Sequence, residues 1–238
     1  MKGKKDLVPE PGKTPATTSS SGEVAAFVER LRQAPAGGGG RLIFALDATA
    51  SRQPTWDRAS HLQAEMFTAA AALGGLEVQL VYYRGFRECK ASPWTRQASE
   101  LLRRMTGVTC LAGHTQLERV LRHAAKETRR QRVSALVFIG DALEESLDDV
   151  GDAAGDLGLL GVPCFLFHEG GNARVRQAFE QVAKLTGGAC CRFDANSAEE
   201  LKSLLGAVAA FAAGGRPALL AYGEGKRGPV ALLTRQVR

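Results

Sequence analysis

Several features of common protein classes are missing from this 238-residue sequence. No apolar run approaches the roughly 18 residues that a membrane-spanning helix needs, and the most apolar helical stretch, 204–213, is shorter than that. The basic start MKGKKDLVPEPG continues into threonine and serine instead of an apolar segment, so no secretory signal is predicted. We therefore expect a soluble, cytoplasmic protein that does not contact membranes.

Cysteine is sparse, and its spacing shows no pairing. The sequence has five cysteines, an odd number without a CxxC pair: Cys89, Cys110, Cys164, Cys190 and Cys191. A disulfide framework or a structural zinc site would need paired spacing, so we predict reduced, buried thiols. The neighbours Cys190 and Cys191 leave a redox pair as the alternative.

Two enzyme motifs are also missing. Neither a GxxxxGK[ST] phosphate loop nor a GxSxG nucleophile elbow occurs, so P-loop nucleotide chemistry and serine-hydrolase chemistry have no support. The net charge of +6 does not indicate specific nucleic-acid binding either. The segments 1–40 and 216–238 carry this charge, whereas 41–215 is neutral, and a nucleic-acid binder would concentrate positive charge on its folded face.

What the sequence does contain, from Arg41 onward, is an alternation of apolar runs and amphipathic segments. The predicted central strands are RLIFALD, LEVQLVYYRG, SALVFIGD, VPCFLFHE and ACCRFD, with FRECKA as an antiparallel edge strand. Helices are expected at 56–73, 99–105, 115–130, 174–185 and 198–212. The alternation predicts an α/β fold with a doubly wound, mostly parallel sheet flanked by helices.

This pattern also divides the chain into three parts. Residues 1–40 are expected to be a flexible segment with a short helix, because they lack a hydrophobic period and end in four glycines. Residues 41–214 form the predicted domain. For the C-terminal extension, 215–238, the sequence leaves either a small strand pair or a tail open.

Polar residues follow two of the predicted strands and begin one helix. Asp47 closes the first strand and opens a DxTxS run with Thr49 and Ser51, Asp141 closes SALVFIGD, and Thr115 starts the 115–130 helix. Ligands of open α/β sheets bind at the carboxyl ends of the strands. Two carboxylates and three hydroxyls are hard oxygen donors, which favour Mg²⁺, with Mn²⁺ as the alternative, over zinc or copper.

These three motifs in this order resemble the metal-ion-dependent adhesion site of the von Willebrand factor A family, and the resemblance covers about 41–213. It maps the family's DxSxS, Thr and Asp onto Asp47, Thr49, Ser51, Thr115 and Asp141. Thr49 stands in place of a serine, and Ala142 replaces the glycine that many members have after the Asp. The resemblance implies a Mg²⁺-dependent protein-interaction module, not an enzyme, that binds an acidic residue of a partner. Stand-alone bacterial members work beside AAA+ ATPases or chelatases, so such a partner is implied.

Two other functions remain open. One is a metal-assisted phosphoester hydrolase, although aspartyl phosphohydrolases need a second Asp where Thr49 stands, because a threonine hydroxyl cannot serve as the acid/base. The other is a metal-free scaffold in which the same polar residues cap helices and turns. His114, Arg84 and Trp94 are further candidates for partner contacts, because they lie on segments expected to border the site. For Trp94 the sequence equally allows a second role, in which it anchors a helix to the sheet.

Overall fold

The computed structural model describes residues 39–62, 64–71, 75–193 and 198–237. One sheet is formed by six strands: β1 (Gly40–Asp47), β2 (Leu76–Arg84), β3 (Glu88–Ala91), β4 (Ala135–Gly140), β5 (Cys164–Glu169) and β6 (Ala189–Phe193). The strand order is β3-β2-β1-β4-β5-β6. Every neighbouring pair is parallel except β2 and β3. The predicted fold class and the antiparallel edge strand are confirmed, whereas the prediction for 1–38 lies outside the described residues.

The described residues contain eight α-helices and a single 3-10 turn, Ala50–Arg52. The helices are α1 (Gln53–Leu62), α2 (Ala64–Ala71), α3 (Ala98–Thr106), α4 (Leu117–Arg130), α5 (Leu147–Leu159), α6 (Ala173–Thr186), α7 (Ala198–Gly223) and α8 (Pro229–Gln236). All five predicted helical regions contain a helix, with differences at their ends.

The sheet is buried on both faces, as the continuous apolar run of its first strand requires. Successive residues of β1 point to opposite faces, so Leu42, Phe44 and Leu46 join one apolar core, and Ile43 and Ala45 join the other. The first core is completed by α1, α2, α3, α7 and α8, and the second by α4, α5 and α6. This three-layer packing leaves the carboxyl ends of the strands open for the loops.

The helix α5 was absent from the sequence prediction. Its three glycines, Gly151, Gly155 and Gly158, weaken helix propensity by about 1 kcal/mol each relative to alanine, which hides the helical pattern. The start was readable in principle, since the side chain of Ser146 accepts a hydrogen bond from the Asp149 amide and two aspartates occupy the first turn. Packing of Val150 and Leu157 against the sheet then stabilises the helix.

The helix α7 continues well past the predicted end at 212. It kinks at Gly215, whose φ of 68° is a left-handed conformation that glycine adopts without strain. Counted across this kink, α7 is long and apolar enough by composition to cross a membrane, so the most apolar helix is longer than predicted. The prediction that no uninterrupted apolar run of about 18 residues occurs holds for α7, because Arg216 ends its longest run. Over half of its most apolar window, 56%, is nevertheless buried inside the protein, as in the core helix of a domain.

The C-terminal segment is helical, so neither a strand pair nor a tail is found. After a GEGKRG turn that joins two helices, α8 buries Val230 and Leu233 in the first core. The Gln236 side chain then meets β6: its Oε1 accepts from the Cys190 amide at 2.9 Å, and its Nε2 donates to the Cys190 carbonyl at 3.0 Å. The extension therefore packs against the predicted domain through both of its helical parts, whereas the turn residues 224–228 are exposed.

Candidate metal centre

All five predicted metal ligands line one cavity of about 240 Å³ at the carboxyl edge of the sheet. Its lining residues are Asp47, Thr49, Ala50, Ser51, Ala112, Gly113, Thr115, Asp141, Ala142 and Glu144. They meet there because β1 and β4 are neighbouring parallel strands, so Asp47 at the end of one lies near Asp141 just after the other. The loop before α4 supplies the remaining wall of the cavity through Ala112, Gly113 and Thr115.

The loop after β1 is held by hydrogen bonds of its own backbone. The Thr49 amide donates to Asp47 Oδ1 at 2.7 Å, and the Ala48 amide donates to the Tyr83 carbonyl at 2.9 Å. The 3-10 turn that follows is closed by the Arg52 amide, which donates to the Thr49 carbonyl at 2.9 Å. These bonds keep the hydroxyl residues Thr49 and Ser51 beside the carboxylate of Asp47.

The loop that carries Thr115 is fixed by two glutamates that follow β4. Thr115 Oγ1 accepts from the Glu144 amide at 2.8 Å, and the Thr115 amide donates to Glu144 Oε2 at 3.3 Å. The Glu145 carboxylate accepts from the amides of Leu117 and Glu118 at 2.6 and 2.8 Å, and so caps α4. Thr115 therefore precedes the helix by two residues, which corrects its predicted place at the helix start.

Gly113 allows this loop to approach the end of β2. A Cβ atom at position 113 would lie 2.0 Å from the carbonyl oxygen of Gly85, so any side chain there would displace backbone. The His114 amide donates to the same carbonyl at 3.2 Å. Ala142, the departure from the family pattern, has ordinary backbone, since no described residue other than glycine has a positive φ.

Arg52 is a buried positive charge that sequence reasoning missed. It is 3% exposed, its Nη1 lies 3.2 Å from Asp141 Oδ2, and its Nη2 contacts Glu169 Oε2. Burial works against this charge, but the hydrogen bond to Glu169 and the nearby carboxylates raise the pKa of Arg52 overall. With Asp47 included, three carboxylates surround one guanidinium, so the cluster keeps an excess of negative charge when all are ionised.

Asp47 has one oxygen that lacks a partner. Its Oδ2 is buried without a hydrogen bond of normal geometry from a described residue. The Tyr83 hydroxyl, which interacts with the Asp47 carboxylate, likewise lacks such a bond. Burial raises the pKa of Asp47, the Thr49 bonds oppose this, and the Asp141 carboxylate adds to the rise. A buried oxygen without a donor costs about 1–3 kcal/mol, which a bound cation would relieve.

The donor set fits a hard cation. Aspartate and hydroxyl oxygens at one cavity match the oxygen ligands of Mg²⁺. Within the described part of the chain, no cluster of three or more His, Cys, Asp or Glu side chains could hold a metal, so a zinc-type ligand set is not found there.

The three predicted partner-contact residues have different surroundings. His114 lies at the cavity rim, with Nδ1 2.9 Å from Glu144 Oε2 and its ring edge-on to the exposed Phe86. Arg84 is engaged within the domain, where its Nη1 donates to the Thr109 carbonyl at 2.6 Å.

Trp94 does not border the cavity and instead anchors α4 to the sheet, the second of its two predicted roles. Its Nε1 donates to Glu127 Oε2 at 3.0 Å near the C-terminal end of α4, and the Arg41 guanidinium stacks 3.7 Å from its ring centre. Because Arg41 opens β1, Trp94 lies at the amino end of the sheet, opposite the cavity.

All five cysteines are free thiols. Cys164, Cys190 and Cys191 are buried as predicted, whereas Cys89 and Cys110 are half-buried. Burial raises the pKa of both Cys190 and Cys191 to about 12. The two residues are consecutive in β6, so their side chains point into different cores. This geometry argues against the redox-pair alternative.

No family model and no curated protein matches this chain in sequence, but solved structures share its fold. The SpRpn10 VWA domain aligns with a TM-score of 0.55 at 12% identity, over 70% of this chain and 95% of that one. Proximal thread matrix protein 1 from the mussel byssus, with a zinc-occupied MIDAS motif, gives 0.55 and 13% over 73% and 46%.

A third neighbour is the pilus adhesin SpaC from Lactobacillus rhamnosus GG, in an open conformation. It aligns with a TM-score of 0.56 at 9% identity, over 78% of this chain. The chain spans 30% of that adhesin and 46% of the byssus protein. At such identities the likeness establishes architecture and not activity. The chain therefore has the fold of a von Willebrand factor A domain.

Proposed function

We propose that this domain is a protein-interaction module that holds Mg²⁺, or Mn²⁺, through Asp47, Thr49, Ser51, Thr115 and Asp141 and binds an Asp or Glu of a partner protein. The observation that carries the proposal is the buried, unpartnered Oδ2 of Asp47 in a cavity lined by oxygen donors. When bound, the cation supplies a positive charge and an open coordination position for an acidic ligand.

The charges of the chain's own residues favour this role. Arg52 Nη1 lies 3.2 Å from Asp141 Oδ2 and so withdraws part of that ligand's negative charge from a bound cation. The cation therefore attracts an incoming carboxylate more strongly than it would beside two unpaired ligand carboxylates. Glu169 holds Arg52 from the other side, and the Thr55 hydroxyl donates to Glu169 Oε2 at 2.5 Å, which keeps the guanidinium from turning into the cavity.

Exposed residues around the cavity supply further contact area. Phe86 is 73% exposed, and Leu111 is 46% exposed beside the loop after β1, where its amide donates to the Ala48 carbonyl at 3.0 Å. With His114 they place apolar and aromatic surface around a central acidic anchor, an arrangement typical of binding surfaces. An AAA+ ATPase or chelatase subunit in the cytoplasm is the partner class that we propose.

Calorimetric titration of the full chain with Mg²⁺ and with Mn²⁺ tests the metal site. We expect Asp47→Asn, which keeps the size of the side chain, to weaken binding by at least about tenfold, the loss seen even when groups that only support ligands are removed. The matched control is Asp152→Asn, because Asp152 is an exposed aspartate of α5 outside the cavity.

Failure of a folded wild-type chain to bind either ion would refute the proposal, as would equal binding by both variants. Partner capture is tested by affinity purification with Mg²⁺ and again with EDTA, and capture that EDTA does not change would favour the metal-free scaffold. Metal-dependent turnover of a phosphoester would instead support the hydrolase.

A further inference from the structure

A second, smaller pocket lies at the end of β5, and none of the five proposed metal ligands lines it. Its volume is about 60 Å³, and its walls are His168, the Gly170–Gly171 turn, the first residues of α6 with Arg176, and Arg192 of β6. One water needs roughly 15 Å³ of such space, so the pocket has room for a group of about four or five heavy atoms. A single small polyatomic ion or ligand group fits this size.

His168 contributes two buried polar atoms to the pocket wall. Its side chain is 1% exposed, yet both ring nitrogens are buried without a hydrogen-bond partner among the described residues. A neutral imidazole always has one N–H donor and one acceptor nitrogen. Because both atoms have lost their hydrogen bonds to water and gained none from the protein, their burial is destabilising. The Phe179 ring packs edge-on at 5.7 Å and fixes the imidazole plane beside the pocket.

The charge of the pocket is positive. Arg176 and Arg192 line it from two different elements, and no carboxylate lines it within the part of the chain that the structure describes. Arg176 has only a long, exposed pair with Glu180 at 3.6 Å, and Arg192 has no ion pair with a described residue. Burial first, and then the charge of Arg192, lower the pKa of His168, with Asp141 opposing and Arg176 and Arg52 adding to the decrease.

The start of α6 adds to this field. The positive end of a 14-residue helix faces the pocket through Asn172 and Ala173. The Asn172 Oδ1 already accepts from the amides of Arg174 and Val175, so the helix contributes mainly through its dipole. Two guanidinium groups, an imidazole and a helix end therefore converge on a space that holds one small group.

We propose that this pocket binds a phosphate group, as inorganic phosphate or as a phosphate monoester. Arginine pairs with phosphate through two parallel hydrogen bonds. Two bidentate arginines and an imidazole N–H on different walls present five donors, which is more than the roughly four lone-pair sites of a carboxylate and is matched by the oxygens of phosphate. The site is separate from the proposed metal centre, and its occupancy does not require the metal.

NMR titration of the full chain with inorganic phosphate, followed through the His168 ring signals, tests this site. Ionic strength is held constant with chloride. EDTA is present to chelate divalent cations, so that phosphate cannot bind through a metal ion. We expect Arg176→Gln and Arg192→Gln each to weaken phosphate binding by about tenfold or more. Arg174→Gln is the matched control, since Arg174 is exposed on the same helix and does not line the pocket.

The proposal is overturned if chloride shifts the His168 signals as strongly as phosphate, or if Arg174→Gln weakens binding as much as the pocket variants. Asp47→Asn should leave phosphate binding unchanged, so failure of the metal site does not affect this test. A parallel titration with O-phosphoserine distinguishes the sources: tighter binding than inorganic phosphate indicates a phosphorylated side chain, and weaker binding indicates the free ion.

Discussion

Single residues at the cavity carry buried charge at the expense of stability. The Asp47 carboxylate is 2% exposed and Thr49 satisfies only its Oδ1, so a buried charge remains partly uncompensated. Arg52 reduces this cost only in part, because its guanidinium contacts Asp141 and Glu169. Such an arrangement is typical of a site that is completed by a ligand.

This cost predicts the effect of Asp47→Asn on stability. In EDTA at pH 7, the variant should have a free energy of unfolding about 1 kcal/mol higher than the wild type, because the amide removes the buried charge. The pKa of Asp47 is raised from 3.8 in the folded protein, so the folded state binds the proton more tightly than the unfolded chain. The wild type should therefore lose stability relative to the variant as the pH rises from 3.8 through the folded-state pKa.

Urea unfolding at several pH values, with and without Mg²⁺, measures this difference. Mg²⁺ should stabilise the wild type and leave the variant unchanged. The argument fails if Asp47→Asn is the less stable protein in EDTA at pH 7, or if the difference does not depend on pH.

The meeting of the five proposed metal ligands at one cavity was predictable at the residue scale, but the roles of Arg52 and Glu169 were not. Apolar runs end at Asp47 and Asp141, so their positions at strand ends are visible in the sequence. Arg52 and Glu169 are 117 residues apart, and their contact depends on the order of the strands in the sheet. A lone arginine after a DxTxS run carries no local sign of that distant partner.

At the scale of elements, α4 begins where another segment supplies its cap. Glu145 accepts hydrogen bonds from Leu117 and Glu118, two amides of the first turn that have no partner within the helix. Because this cap comes from 28 residues away in sequence, the helix start could not be located from nearby residues. The same contact ties the loop of Thr115 to the loop after β4.

Replacing this cap should lower stability and loosen the metal site together. Glu145→Gln keeps one acceptor oxygen and leaves one of the two first-turn amides without an acceptor. This loss outweighs the removal of a charge whose pKa burial raises, so we expect a decrease of about 1 kcal/mol in the free energy of unfolding. Amides of residues 115–118 should exchange hydrogen faster than in the wild type. Glu180→Gln, at an exposed glutamate of α6, is the control, and equal losses in the two variants would contradict the capping role.

At the scale of the whole molecule, the apolar core includes the C-terminal segment. The residues beyond Gly214 in the first core are Leu219, Val230, Leu233 and Val237. Glycines interrupt the hydrophobic pattern between this segment and the domain, so the sequence predicts two separate parts. In the structure, the apolar face of α8 is buried by its contacts with α7 and β6. The fold class was predictable from alternation, whereas this packing depends on long-range contacts.

A chain that ends at Gly214 should therefore be much less stable than the full chain. Truncation uncovers apolar surface of α7 and removes several buried side chains, each worth about 1.5–3 kcal/mol. Thermal unfolding should show a clearly lower midpoint and greater aggregation. An unchanged midpoint would mean that 41–214 is a self-sufficient domain, as its predicted boundary implies.

The Gln236 side chain has a consequence for self-association. Its carboxamide offers one N–H and one C=O to Cys190, as the peptide group of a seventh strand would. At the opposite edge, β3 is only four residues long and carries the exposed Lys90. A foreign peptide or a second copy cannot extend β6 by strand addition at Cys190 until α8 is displaced, so the sheet has a built-in barrier against fibril growth.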